Sequence, residues 1–304
     1  MNLSGAPEMA CSVRVSTTCY SDRPVDSSVV ALILVSALLH AGWNTLVKLK
    51  GDPLIMLASI AATATLWTLP TLAVVPFPAA EVWPYLLLSM ILHTLYNLLL
   101  FAGYKHGDLG QVYPIARGVA PLLVAGVAPF VAAETVTAFT LWGVLLIAAG
   151  VTSLAFSGAR PLGENPRPVL YALGAALFIA SYTTMDGLGA RVAASPHSYI
   201  AWLFILDGIP ISVIAVWLRG REVLDWVRRN WARGTAGGAM SVVGYWLVVW
   251  ALSIGALAPV AALREVGVII AAVLASVVLK ERFGPRRIAA AVLVAAGAIL
   301  LRWS

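Results

Sequence analysis

Apolar runs of about twenty residues, each long enough to cross a hydrocarbon core of roughly 30 Å, follow one another along almost the whole chain from Ser28 to Trp303. A bilayer leaves one solution for such a sequence: helices that satisfy their own backbone hydrogen bonds. Composition agrees. The chain is 61% hydrophobic and only 11% charged, against about 25% charge in soluble domains, and its mean hydropathy is +0.90. The sequence therefore predicts an all-α integral membrane protein. The formal net charge of +6 reads as loops near anionic lipid; with no soluble basic face to bind it, nucleic acid is not a partner. Cys11 and Cys19 both lie in the polar N-terminal stretch, which leaves no cysteine for a metal site or a disulfide core.

Gly, Pro and charge clusters bound ten transmembrane segments, at about 28–48, 53–77, 82–104, 109–131, 136–156, 169–188, 198–218, 234–254, 258–279 and 285–303. The expected organisation is a disordered tail over 1–27, a five-helix repeat over 28–158, a polar linker over 159–168 and a second five-helix repeat over 169–304. The tail has no apolar region of signal-peptide length, and Met9 is an alternative start. An odd number of crossings per half sets the halves in opposite orientations, the inverted-repeat plan of many secondary transporters, with the site in a central cavity between them.

Two arginines carry the case for duplication. Arg117 and Arg264 each interrupt an apolar segment and lie 147 residues apart. At the same offset Glu134 pairs with Glu281, and Ala148-Ala149-Gly150 with Ala295-Ala296-Gly297. A charge at the centre of a membrane helix costs roughly 2.5–3.5 kcal/mol on insertion scales, so two in corresponding places need a reason. A planar fork of donors suits a carboxylate, phosphate or phosphonate. Glu265 follows Arg264 directly and points about 100° away round the helix. It reads either as a proton-coupling acid or as a fixed counter-ion. Because Arg264 has this carboxylate beside it, Arg117 is expected to be the freer cation.

Other polar side chains fall in stripes. His40, Asn44 and Lys48 are spaced i, i+4 and i+8, and His93, Tyr96 and Asn97 are spaced i, i+3 and i+4. Both stripes are candidate cavity walls, with an imidazole able to carry a proton near neutral pH; the competing reading is bonding between helices. Tyr113 shares a face with Arg117, and Pro114 loosens the backbone pairing there. Tyr182 and Asp186 lie one turn apart. Trp43, Tyr182, Tyr245 and Trp246 are candidate cavity aromatics. Asp207 stands mid-segment with no partner assigned. Glu134 and Glu281 read as organisers of tight turns, and the small residues of segments five and ten as close helix packing.

These residues resemble the EamA family of the drug/metabolite transporter superfamily. The resemblance runs from about Ser28 to Trp303 and rests on two copies of one pattern. The first copy is Tyr113-Pro114-Ile115-Ala116-Arg117, then Pro121 and Glu134. The second is Ala258-Pro259-Val260, then Arg264-Glu265 and Lys280-Glu281-Arg282-Phe283-Gly284-Pro285. The opening Leu39-His40-Ala41-Gly42-Trp43-Asn44, followed by Lys48, is similar to a bacterial branch. The resemblance implies ten helices around a central cavity in a bacterial plasma membrane, and export or exchange of small metabolites without ATP.

The expected function is secondary-active efflux or exchange of a small metabolite with an anionic group, such as an amino acid or a phosphonate-like compound. Protons are a candidate coupling ion. A flippase for a lipid-linked substrate is the alternative. An intramembrane enzyme would need an activated nucleophile or a metal site, and the chain has no His-Glu-x-x-His, no Gly-x-Ser-x-Gly and no cysteine in a segment. No cofactor is expected, and the carrier would work as a monomer or homodimer. Orientation draws two expectations: 14 Lys and Arg flank one face and 4 the other, which puts both termini outside the cytoplasm, whereas the family resemblance implies termini inside.

Overall fold

The computed structural model describes residues 27–48, 52–107, 109–156, 166–278 and 284–303. Among these residues the chain is helical throughout, in eleven α-helices joined by short connections. They are α1 (Ser27–Lys48), α2 (Pro53–Thr68), α3 (Trp83–His106), α4 (Leu109–Val131), α5 (Ala138–Ser153) and α6 (Arg167–Val192), then α7 (Pro196–Arg219), α8 (Arg221–Ile254), α9 (Leu257–Arg264), α10 (Val266–Val278) and α11 (Pro285–Leu300). Among the described residues seven stretches are long and apolar enough to cross a membrane: α4, α6, α7 and α8, and α2, α3 and α5 each with an adjoining 3-10 turn. The chain is a multi-pass membrane protein. The expected tail, most of the 159–168 linker, the Lys280–Phe283 turn with Glu281, and the side chains of Asn44 and Lys48 lie outside the described residues.

Helix starts follow local chemistry. Proline sits in the first turn of α2, α3, α6, α7 and α11, where its missing N–H costs nothing. Asp52 caps α2, its Oδ1 accepting from Leu54 N at 2.8 Å, and Thr137 caps α5 by accepting from Thr140 N at 3.1 Å. Arg219 Nε donates to the other oxygen of Asp52 at 2.6 Å, which ties the end of α7 to the start of α2.

Three boundaries differ from the sequence reading. The segment at 53–77 leaves the α-helix at Thr68 and tightens into a 3-10 turn over Leu69–Ala73, where Pro70 cannot donate to the helix. α8 begins at Arg221 rather than 234, with a kink at Asn230 (φ −125, ψ 22) between a charged first part and the apolar remainder. The segment at 258–279 is two helices, α9 and α10, with Glu265 between them and its N–H turned back to Ala262 O at 2.9 Å. Laid end to end the two rise roughly 33 Å at about 1.5 Å per residue. The interruption falls at the charged pair Arg264–Glu265, where the side chains reach for a partner on another helix.

The main helix contacts join the two halves. α3 runs against α6, α1 against α8 and α10, α2 against α7 and α8, α4 against α6 and α9, and α5 against α11. The α5–α11 contact is backbone to backbone. A Cβ on Gly297 would stand 2.6 Å from Gly143 O and 3.0 Å from Ile147 N, and one on Gly143 3.0 Å from Gly297 O. Small residues are what let membrane helices close to this distance. At one end of the bundle, Glu134 joins three elements. Its Oε1 accepts from Arg191 Nη2 at 2.8 Å, and its Oε2 accepts from Leu257 N, the first residue of α9, at 2.8 Å. Arg191 also donates to the carbonyls of Leu252 and Gly255. Glu134 thus holds the start of α9 and the end of α6, a longer-range role than the turn read from sequence.

Candidate functional site

Inside the bundle lies a cavity with about 830 Å³ of space free of protein atoms, its mouth included. Seven helices give it polar groups: His40 and Trp43 from α1, His93, Tyr96 and Asn97 from α3, Arg117 from α4, Tyr182 from α6, Asp207 from α7, Ser241 and Tyr245 from α8, and Arg264 from α9. The apolar wall is Leu57, Ile60, Ala61 and Ala64 of α2 with Phe204 and Ile211 of α7. The cavity therefore has a greasy side and a polar, aromatic side.

Arg117 and Arg264 meet because α4 packs against α9. Both are almost wholly buried, 1% and 3% exposed, and they share one carboxylate, Glu265, itself 1% exposed. Arg117 Nε stands 2.7 Å from Glu265 Oε2, and Arg264 Nε 3.5 Å from Oε1. The sequence had Arg264 as the neutralised arginine, and this is corrected: neighbours in sequence diverge round the helix, so Glu265 reaches across to α4 and sits closer to Arg117. The close contacts are ion pairs with misdirected N–H groups. Arg117 Nε and Nη2 and Arg264 Nε make no hydrogen bond among the described residues. Two cations against one anion leave a positive surplus. The aromatic faces of Tyr113, 6.0 Å from the Arg117 guanidinium, and of Tyr182 and Tyr245, each 5.9 Å from that of Arg264, surround it.

The remaining candidates divide. His40 lies edge-on to Trp43 with ring centres 4.9 Å apart. Tyr113 stands behind it, its hydroxyl 3.2 Å from His40 Nε2, and does not itself line the cavity. His93 stacks on Tyr182 at 3.7 Å between ring centres. Asp186, expected in the cavity, lies outside it and is fully buried. Ser89 donates to its Oδ1 at 2.5 Å and Tyr199 at 2.8 Å, while the Tyr245 hydroxyl donates to its Oδ2. His93 Nδ1 in turn lies 3.1 Å from Ser89 Oγ. One carboxylate thereby bonds α6 to α3, α7 and α8, and its oxygens are occupied by protein. Trp246 is also outside the cavity lining: its ring stacks on His197 and its Nε1 donates to His197 Nδ1 at 3.0 Å. Glu265 is buried and does not line the cavity.

Asp207, Ser241 and the apolar wall of α2 and α7 are the parts that sequence reasoning did not assign. Asp207 carried a signal, an acid alone in an apolar segment. Ser241 and the wall carried none, because lipid-facing and cavity-facing positions are both apolar.

Residues 166–303 match the EamA-like transporter family. A crystal structure of another protein shares the fold with a TM-score of 0.70, covering 90% of this chain and 96% of that one at 18% identity. No curated protein matches the chain.

Proposed function

Since residues 166–303 match the EamA-like transporter family, we propose that the chain is a secondary-active carrier that exports or exchanges a small metabolite through an anionic group held by Arg117 and Arg264. The observation that carries this reading is the uneven charge at the cavity's basic end: two buried guanidiniums share one carboxylate, with Arg117 Nη2 left without a hydrogen-bond partner among the described residues. A buried donor of this kind costs about 1–3 kcal/mol until something accepts from it, and a carboxylate or phosphonate entering the cavity would. Glu265 in this reading is the shared counter-ion that makes two buried arginines tolerable, rather than a proton-coupling acid.

Ten crossings in two inverted repeats are the architecture we propose with it, in a bacterial plasma membrane. α9 and α10 together form one crossing, and the short helices α1 and α11 add one each. Support comes from the packing. Exchanging α1 with α6, α2 with α7, α3 with α8, α4 with α9 and α10, and α5 with α11 turns each main contact into another: α3–α6 becomes α8–α1, α4–α6 becomes α1 with α9 and α10, and α2–α7 and α5–α11 map onto themselves.

The test uses purified full-length protein and a panel of carboxylates and phosphonates, each beside its neutral amide, read as ligand-induced thermal stabilisation. Anions should stabilise the wild type and amides should not. Arg117→Lys and Arg264→Lys each keep a charge and lose the planar fork, so affinity for the anion should fall roughly 10- to 150-fold. Arg117→Lys should also lower the ligand-free melting temperature, because it disturbs the closer ion pair. Amides binding as well as anions, or both variants binding at wild-type affinity, would remove the anionic grip.

A further inference from the structure

Asp207 is the one acid among the described residues that lines the cavity. It sits on α7 beside Phe204, facing the apolar wall of α2, and has no hydrogen bond or ion pair among the described residues. The titratable groups that act on it are His93 of α3 and Asp186 of α6. α8 adds the hydroxyls of Ser241 and Tyr245 to the cavity wall, and α2 adds nothing titratable. None of these supplies a lasting counter-charge. Asp186 is itself acidic and already holds three hydroxyl donors, and His93 is engaged with Ser89. Asp207 is half-buried at the cavity surface, so its carboxyl group is open to a partner that enters the cavity.

The two arginines are not that partner. Among the described residues, the ion pairs of both run to Glu265 and none runs to Asp207. The helices agree, because α7 packs on α2, α3 and α8, whereas α4 packs on α5, α6 and α9. One cavity thus carries basic groups on α4 and α9 and an acidic group on α7.

We infer that Asp207 receives a cationic group of the substrate, so that the preferred cargo is dipolar: an anionic group on Arg117 and Arg264, and an ammonium some carbons away on Asp207. This rests on the anionic grip proposed above and narrows the substrate class. ω-Amino acids and amino acids with a basic side chain are cargo of this kind.

The experiment titrates purified full-length protein with 4-aminobutanoate, 5-aminopentanoate and 6-aminohexanoate, each beside butanoate, pentanoate or hexanoate, and reads apparent affinity from thermal stabilisation. In the wild type at least one aminoalkanoate should bind roughly 10- to 150-fold more tightly than the alkanoate of its length. Asp207→Asn should reduce that ratio to about one, chiefly by loss of aminoalkanoate affinity, and Asp207→Glu should retain part of it. The asparagine variant removes a carboxylate that no described residue pairs, so its ligand-free melting temperature should match or exceed that of the wild type. Alkanoates binding with no gain from the amino group, or a preference that survives in Asp207→Asn, would overturn the dipolar inference and leave the anionic grip standing. If neither series stabilises the wild type, the grip falls and this inference with it.

Discussion

Glu265 is where residue-scale physics is most exposed to test. Removing one partner of a buried ion pair leaves an uncompensated charge and costs about 3–5 kcal/mol, and Glu265 serves two arginines. Glu265→Gln should therefore give a sharp loss of thermal stability and of folded yield in detergent. A variant that melts like the wild type and loses only transport driven by a pH gradient would make Glu265 the coupling acid instead. A second residue-scale prediction concerns pH. Burial works against ionisation of Asp52, but the hydrogen bond from Arg219 and the N–H of Leu54 outweigh it and hold the carboxyl below its ordinary value of 3.8. A depressed carboxylate adds stability that is present above the unfolded-state value and lost as the pH falls through the folded-state value. Wild-type melting should fall as the pH drops below about 4, and the Asp52 part of that fall should vanish in Asp52→Asn, which can still cap α2. Identical acid profiles for the two proteins would show that the Asp52–Arg219 pair contributes nothing.

How much of the site was legible follows from the same scale. Arg117 and Arg264 stood out because a charge in an apolar run is costly wherever it points. The aromatic pair Tyr245–Trp246 could not be sorted. Adjacent residues lie about 100° apart on a helix, and in a bilayer the outward face is as apolar as the inward one, so hydrophobic periodicity does not choose between them. Tyr245 turned inward, to the cavity and Asp186, and Trp246 turned to His197. Asp186 was legible as an acid but not as a satisfied one, since its donors come from helices distant in sequence.

Among elements, α5 and α11 make the sharpest claim. Their contact is set by Gly143 and Gly297, and a methyl group on Gly297 would press on Gly143 O and Ile147 N of the α5 backbone as well as on the Ile147 side chain. Gly297→Ala should cost about 1–3 kcal/mol and lower the melting temperature with ligand affinity preserved, because this pair lies away from the cavity. An unchanged melting temperature would mean that the two helices separate at no cost. The Ala-Ala-Gly repeats announced this packing in the sequence. The division of α9 from α10 was not announced: neither Gly nor Pro marks positions 264–266. The interruption comes with an ion pair that forms only once α4 is alongside. The early start of α8 was hidden for another reason, because the charged stretch before Asn230 reads as a loop when only membrane-spanning apolarity is sought.

At the scale of the whole molecule, the parts form one device. Mirrored helix contacts surround a cavity whose basic end is built from α4 and α9, corresponding elements of the proposed repeats, and whose apolar wall comes from α2 and α7, another corresponding pair. A carrier of this plan moves cargo by rocking one repeat against the other around a fixed site, so binding at the arginines and transport should fail together. The most direct measurement is counterflow in proteoliposomes reconstituted with the full chain, using a labelled anion that stabilises the purified protein, with unlabelled anion inside and no ATP. The wild type should accumulate label transiently, the neutral amide should not exchange, and the double variant Arg117→Lys/Arg264→Lys should show little or none. Counterflow of the amide at the rate of the anion, or undiminished counterflow in the double variant, would contradict the account.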